Sequence, residues 1–425
     1  MLTPIDTLCH DHRAISDDKS RPPGLHFANG KHVKLVIVHD WLTGMRGGEK
    51  CLEVICRRFP QARLFTLVHR RGSISPTIEA LPITTSFLQK IPGARRHYRY
   101  LLPLMPSAVE QLRIPTDTDL VLSFSHAVAK SIRVPPGIPH VCYCFTPMRY
   151  AWHLRDDYVG ATHEDGRPPV FQGRVQSSLQ GARHFVLDRL REWDRRTSDR
   201  VTQFVASSRT VARRIEECYG RPSRVIYPPV DTSFFTPETT PREDFYLCVS
   251  ALVPYKRIDL AIDACRRLGR KLVIIGCGPF ERRLRRGAGE ETSFLGWCDN
   301  ETIRDHMRRC RALMFPGRED FGIVPVEAQA CGTPVIAYGR DGATETVVPG
   351  NETTAGCGVL FAEQSVVGLA QAIESFESGR RLLCPQLARR QAERFSAERY
   401  DREMCELLFA TARAKTSASA DTRSS

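Results

Sequence analysis

Apolar and polar positions along this chain fall into two successive series of short strands and amphipathic helices, with polar stretches at either end. Residues 1–32 carry no periodicity and read as a flexible leader; Cys9, His10 and His12 within it form an incidental run rather than a metal site, because no second ligand cluster accompanies them. Order is expected from Val33. Lys34 to His39 is a β-branched run, Gly44-Met-Arg-Gly-Gly48 a glycine-rich loop, and Glu49 to Phe59 a helical stretch. Together they predict the strand–loop–helix opening of a parallel α/β domain. Further strands are expected at Ala62–Val68, Asp119–Phe124, His140–Cys144 and Gln203–Ala206, with a long charged helix over Gly181–Asp199 leading into the last.

Tyr227-Pro-Pro-Val-Asp231 and the Thr/Pro-rich residues after it read as an exit turn and a linker over 231–244. A second series then begins. Its strands are expected at Phe245–Ser250, Lys271–Ile275, Ser293–Leu295, Ala312–Phe315 and Thr333–Ala337, and its helices at Ile258–Leu268, Phe280–Arg286, Asn300–Cys310 and Phe321–Cys331. Two such series predict two doubly wound, Rossmann-like domains, over 33–230 and 245–395. A helix over 396–413 is expected to close the chain by packing back on the first domain, and 414–425 to be a disordered tail.

Length supports this division, since 425 residues exceed one ordinary core. No apolar stretch approaches the ~20 residues that span a bilayer, and the first residues lack the basic start and apolar run of a secretory signal. Fifteen scattered cysteines without a Cys-x2-Cys pair suit reduced thiols, so a cytoplasmic protein is expected. A formal charge of +13 suggests phosphorylated substrates or anionic lipid. Nucleic acid is not expected, because no zinc-finger spacing or Arg/aromatic repeat accompanies the charge.

The richest segment is Pro316-Gly-Arg-Glu-Asp-Phe-Gly-Ile-Val-Pro-Val-Glu327-Ala-Gln-Ala-Cys-Gly-Thr-Pro334. A strand ending at Phe315 would place Glu319 at the carboxyl edge of a parallel sheet, where open α/β folds bind ligands. The helix that follows offers free N–H groups and its positive dipole end to a diphosphate, and Gly322 permits close approach. Glu327, further along that helix, has the chemistry to clamp a ribose diol.

This string resembles the retaining GT-B glycosyltransferases of family four, which place on the donor two glutamates with seven residues between them. The resemblance implies that Glu319 lies against the donor sugar and Glu327 against the ribose, with Phe321, Gly322 and Ile323 supplying backbone N–H groups. Ser250-Ala-Leu-Val-Pro-Tyr-Lys-Arg-Ile-Asp259 resembles the family's phosphate-binding segment. Lys256 stands at its lysine, Ala251 replaces a usual arginine, and Arg257 is the nearest substitute. Ile275-Gly-Cys-Gly-Pro279 resembles the base-side loop, which implicates Gly276 and Gly278 in donor binding; as a dinucleotide fingerprint it fails at Glu281. Gly47 and Gly48 match the family's glycine-rich loop. A P-loop is excluded because Glu49 stands where its second glycine should be.

The family usually carries a histidine where Cys142-Tyr-Cys-Phe-Thr-Pro-Met-Arg149 has Phe145. His126, after the strand at 119–124, is expected at the carboxyl edge and, with Arg149, is a candidate for that polar role; a buried structural histidine is the competing reading. Phe87 to Tyr100 interleaves Lys90, Arg95, Arg96, His97 and Arg99 with aromatic and aliphatic residues, which suits either peripheral contact with an anionic membrane or a solvated basic face. The resemblance, closest to bacterial surface-polysaccharide mannosyltransferases, implies two domains facing across a cleft. It also implies a retaining hexosyltransferase taking a nucleotide-diphosphate sugar, best matched by GDP-mannose, to a glycan or lipid-linked acceptor. No metal or cofactor is implied: lysine and helix dipole would take a metal's role. A sugar-nucleotide epimerase and a non-catalytic nucleotide-sugar-binding protein are the alternatives.

Overall fold

A computed structural model describes residues 32–153, 177–239 and 241–421, so the expected leader and its Cys9-His10-His12 run lie, but for His32, outside the described residues. The chain divides into two compact units. One comprises the described residues up to Tyr227 and those from Tyr400; the other comprises those within Pro228–Arg399.

The first unit is built on seven parallel strands: β1 Leu35–His39, β2 Arg63–Thr66, β3 Ile83–Thr85, β4 Leu120–Ser125, β5 His140–Cys144, β6 Gln203–Ala206 and β7 Ser223–Val225, in the order β3-β2-β1-β4-β5-β6-β7. β1, β4 and β5 are buried along their whole length. Near-continuous apolar runs are what strands covered on both faces require. The pleat divides β1 between two cores. Leu35 and Ile37 join Leu52 and Ile55 of helix Gly47–Arg58 and Tyr400, Met404 and Leu408 of helix Ala397–Asp421; Val36 and Val38 join Met105, Val109, Leu187 and Leu190. Each such fully buried aliphatic side chain contributes roughly 1.5–3 kcal/mol.

The second unit has six parallel strands: β8 Tyr246–Val249, β9 Leu272–Ile275, β10 Thr292–Gly296, β11 Leu313–Phe315, β12 Val335–Tyr338 and β13 Gly358–Phe361, in the order β10-β9-β8-β11-β12-β13. In both sheets the strand order reverses beside the first strand of the unit, between β1 and β4 and between β8 and β11. The carboxyl ends of these pairs are the positions at which open α/β sheets form binding crevices.

Three strands escaped the sequence pattern. β3 and β7 have three residues each and are only partly buried, so neither carries an apolar run; β13 lies beyond the last strand expected from the alternation. The tail expected to be disordered is helical as far as Asp421, because a helix already nucleated and packed extends at little cost per residue. The helix expected from Phe321 to Cys331 runs from Ile323 to Ala330, since Gly322, at φ 84°, lies outside helical space. The fourteen cysteines of the described residues are all free thiols.

Candidate active site

In the second unit, the loops leaving β8 and β11 meet. Lys256 Nζ donates a hydrogen bond to the Glu319 carboxylate, and both side chains are partly exposed, at 15% and 24%. A Cβ on Gly317 would stand 2.8 Å from the Lys256 Cα, so the two backbones touch at this point. The loop bearing Glu319 is stapled from the far side. Gly342 N–H donates to the Glu319 carbonyl at 2.9 Å, and Arg318 reaches Asp341 at 2.7 Å. Helix Ile323–Ala330 then starts from Gly322 without a side-chain cap, leaving first-turn N–H groups at its positive end. Glu327, on this helix, is buried.

The other residues expected here have local partners. Arg257, in the left-handed region at φ 51°, donates to the Asp259 carboxylate through Nε at 3.2 Å and Nη2 at 3.1 Å, so its guanidinium is paired within its own turn. Gly276 and Gly278 were expected to admit a donor. A Cβ on them would stand 1.9 Å from the Ser250 carbonyl oxygen and 2.2 Å from that of Leu252, so protein backbone already explains both glycines. Phe321 is buried with its ring 5.3 Å from that of Phe395.

In the first unit, the carboxyl ends of β1 and β4 hold Asp40 and His126. Asp40 is fully buried and accepts four backbone N–H bonds from the next loop: His126 and Ala127 on Oδ2 at 2.7 and 2.9 Å, Val128 and Ala129 on Oδ1 at 2.7 Å each. His126 Nδ1 adds a contact to Oδ2 at 3.0 Å. Burial alone would raise the Asp40 carboxyl. The facing His126, through its charge and hydrogen bonds, outweighs burial and holds it at about 2. Asp40 thereby fixes His126, which packs edge-on to Trp41 with ring centroids 4.5 Å apart and stays 28% exposed. A carboxylate orienting an imidazole that keeps an accessible edge is an arrangement suited to contacting reacting groups.

Next to this pair stands His39, 1% exposed. Its Nδ1 lies 2.9 Å from the Trp41 carbonyl oxygen, whereas its Nε2 is enclosed without a hydrogen-bond partner. An unsatisfied buried nitrogen costs about 1–3 kcal/mol. Gly47 opens helix Gly47–Arg58, and a Cβ on Gly48 would come within 3.2 Å of the Phe145 ring and 3.6 Å of His39 Nε2.

Each unit matches a glycosyltransferase model. Residues 45–234 match Glycosyltransferase Family 4, and residues 230–395 match Glycosyl transferases group 1. The fold is that of a two-domain GT-B glycosyltransferase. Relatives include the D-inositol 3-phosphate glycosyltransferase of Jonesia denitrificans, 30% identical over 239 residues, which cover 47% of this chain and 53% of the relative. Another is the GDP-mannose-dependent alpha-(1-6)-phosphatidylinositol monomannoside mannosyltransferase of Mycolicibacterium smegmatis, 31% identical over 36% of this chain and 48% of the relative. The chain spans about half the length of the curated relatives it matches. Among solved structures, Anabaena HepE in complex with UDP superposes with a TM-score of 0.60 at 17% identity, over 89% of this chain and 100% of that one. Sucrose-phosphate synthase from Thermosynechococcus elongatus superposes with 0.58 at 16% identity, over 92% and 99%.

On this glycosyltransferase fold the sequence-expected residues form two sets, one at each switch point. Lys256, Glu319, Phe321, Gly322, Ile323 and Glu327 gather after β8 and β11, and Gly47, Gly48 and His126 after β1 and β4. Sequence reasoning missed Asp40, His39, Asp341 and Gly342. The position of Asp40 and His39 directly at the end of the first strand was a usable signal. Asp341 and Gly342 had none, since they act only through a chain reversal 23 residues after Arg318. Among the described residues no three His, Cys, Asp or Glu side chains cluster to hold a metal, and no helix is long and apolar enough to cross a membrane.

Proposed function

We propose that this protein transfers a hexosyl group, mannose from GDP-mannose being the best candidate, from a nucleoside diphosphate to a glycan or lipid-linked acceptor in surface-polysaccharide synthesis, with retention at the anomeric carbon. The observation that carries the reading is the Lys256–Glu319 pair at the β8/β11 switch point, beside the uncapped N-terminus of helix Ile323–Ala330. Lysine has three donors, so Lys256 can hold Glu319 and still meet a diphosphate oxygen, stabilising the charge that builds as the diphosphate leaves. The helix N–H groups serve the same anion, and Glu327 accepts from the ribose hydroxyls. His126, locked by Asp40, offers its free edge to a sugar hydroxyl. The GDP-mannose dependence of the relative from Mycolicibacterium smegmatis supports the choice of donor.

The test incubates the protein with GDP-, UDP- and ADP-hexoses, with and without lipid-linked and oligosaccharide acceptors, and follows the anomeric proton of the product. Acceptor-dependent transfer from GDP-mannose with the α configuration kept is the expected result. An altered free sugar nucleotide without acceptor would mean an epimerase, and nucleotide-sugar binding without turnover a binding protein.

Acceptors carried on lipid need a protein that visits the membrane. Arg95, Arg96, His97 and Arg99 are exposed together with Tyr100, 60% exposed, and Leu104, 44% exposed, on one short stretch of the first unit. Basic side chains around protruding apolar ones suit an anionic lipid surface, each contributing ~1 kcal/mol. Vesicles rich in phosphatidylglycerol are expected to retain the protein at low salt and release it at high salt. Exchange of the three arginines for Gln should remove the retention, and retention unchanged by both salt and exchange would refute an electrostatic contact through these arginines.

A further inference from the structure

His39 ends β1 at the switch point of the first sheet, and the proposed transfer reaction gives it no task. Its two nitrogens are in opposite situations. A carbonyl oxygen only accepts, so the contact to Trp41 at 2.9 Å places the ring proton on Nδ1. Burial, reinforced by the neighbouring His126 and opposed by Glu49 and Asp40, lowers the ring's affinity for a second proton. Nε2 of the neutral ring is then a bare lone pair, enclosed and without a donor. A Cβ on Gly48 would stand 3.6 Å from this nitrogen and 3.2 Å from the half-buried Phe145 ring, so the glycine keeps the ground between the two clear of a side chain. The ring of His126 lies 6.4 Å from that of His39 and 6.3 Å from that of Phe145, so the orphan acceptor shares its surroundings with the oriented histidine.

We propose that His39 Nε2 is a sugar-binding group, accepting a hydrogen bond from a hydroxyl of a bound hexose that approaches over Gly48 as the Phe145 ring turns aside. This inference rests on the glycosyltransferase reading and names a further binding residue of the first unit. It also accounts for Phe145. A ring without polar atoms can cover the lone pair without satisfying it, so the acceptor stays available.

Two substitutions test it. In His39→Asn the amide N–H takes the place of Nδ1, keeping the bond to Trp41 while the acceptor is lost; Gly48→Ala blocks the approach and leaves His39 intact. Each should raise the KM for one sugar substrate about tenfold, the effect of a lost hydrogen bond, with kcat moving less and the melting temperature nearly unchanged. His39→Gln, which returns an acceptor near Nε2, should recover part of the loss. A shift in the donor KM assigns the hydroxyl to the nucleotide sugar, and a shift in the acceptor KM assigns it to the glycan. Both KM values within twofold of wild type in both variants would overturn the proposal, as would a fall in melting temperature without any KM change, which would mark a buried structural water. Calorimetric titration with GDP-mannose, GDP and methyl α-mannoside decides the matter independently of turnover. If wild type transfers nothing, the function fails, but the role of His39 is still upheld by weaker hexose binding in His39→Asn than in His39→Gln, and refuted by equal binding in the two.

Discussion

The two units share a topology but treat charge differently. The first buries Asp40, Glu49, Lys130 and Asp194 together with the neutral rings of His39 and His140, whereas the only charged side chain among the buried residues described in the second is Glu327. Lys130 illustrates the first mode. Its ammonium lies 3.0 Å from Asp194 Oδ1 and 4.7 Å from the centre of the Tyr219 ring, while Asp194 Oδ2 accepts from Trp152 Nε1 and Tyr219 OH at 2.8 Å each. In the second unit the Lys256–Glu319 pair sits at a partly open rim, where a ligand can compete for it. Buried charge fixes one geometry and makes it sensitive to proton concentration; rim charge stays adaptable and loses little when it is rearranged. The first unit therefore presents a rigid, oriented histidine, and the second an exchangeable cation.

The sharpest way to break this contrast is Lys130→Met. Removing one partner of a buried pair strands the other, so stability should fall by about 3–5 kcal/mol in chemical denaturation. A loss under about 1 kcal/mol would show that the buried network is not what holds the first unit.

Lys256→Ala probes the opposite mode. Turnover should fall by ~10²–10³-fold, as when a preorganised donor is removed, while the melting temperature stays within a few degrees of wild type. Wild-type rates would move the role to another cation.

Acid should separate the units. Burial, aided by Lys130 and only partly opposed by the Arg200 carbonyl, lowers His140 to about 4. As pH falls below 6.5 the unfolded chain takes up a proton that the folded one refuses, so stability drops through the window from 6.5 to 4, by about 3 kcal/mol in all, and this contribution is constant below it. Asp40, depressed to about 2, adds a loss only below about pH 4. Three of the four tryptophans, Trp41, Trp152 and Trp193, belong to the first unit, so fluorescence-detected denaturation at about pH 7.5 and about pH 5 reads this effect together with the loss of the same sign from buried His39. His140→Gln should flatten the slope; an unchanged slope would exclude His140 as its source.

The smallest effect expected is on binding. Glu327→Gln removes one charge-assisted contact and should weaken GDP affinity by roughly tenfold or somewhat more, measured by calorimetry. Unchanged affinity would remove Glu327 from the ribose.

The string from Pro316 to Pro334 determined the donor-side candidates by itself, because strand, loop and helix follow one another within twenty residues and local order sets their geometry. Apolar alternation likewise determined two parallel α/β units, since strands covered on both faces must be apolar throughout. Tertiary structure decided what depends on distant chain. Asp40 gains its meaning only when the loop at 126–129, 86 to 89 residues away, folds its N–H groups onto the carboxylate. Gly276 reads as a ligand-binding glycine until the Ser250 carbonyl is seen 1.9 Å from where its Cβ would be. His39 looks like the last residue of an apolar strand, and only its burial beside Gly48 leaves its Nε2 enclosed without a partner. Periodicity along a chain records which face each residue takes; which group it meets there is set by closures between segments that the local pattern does not encode.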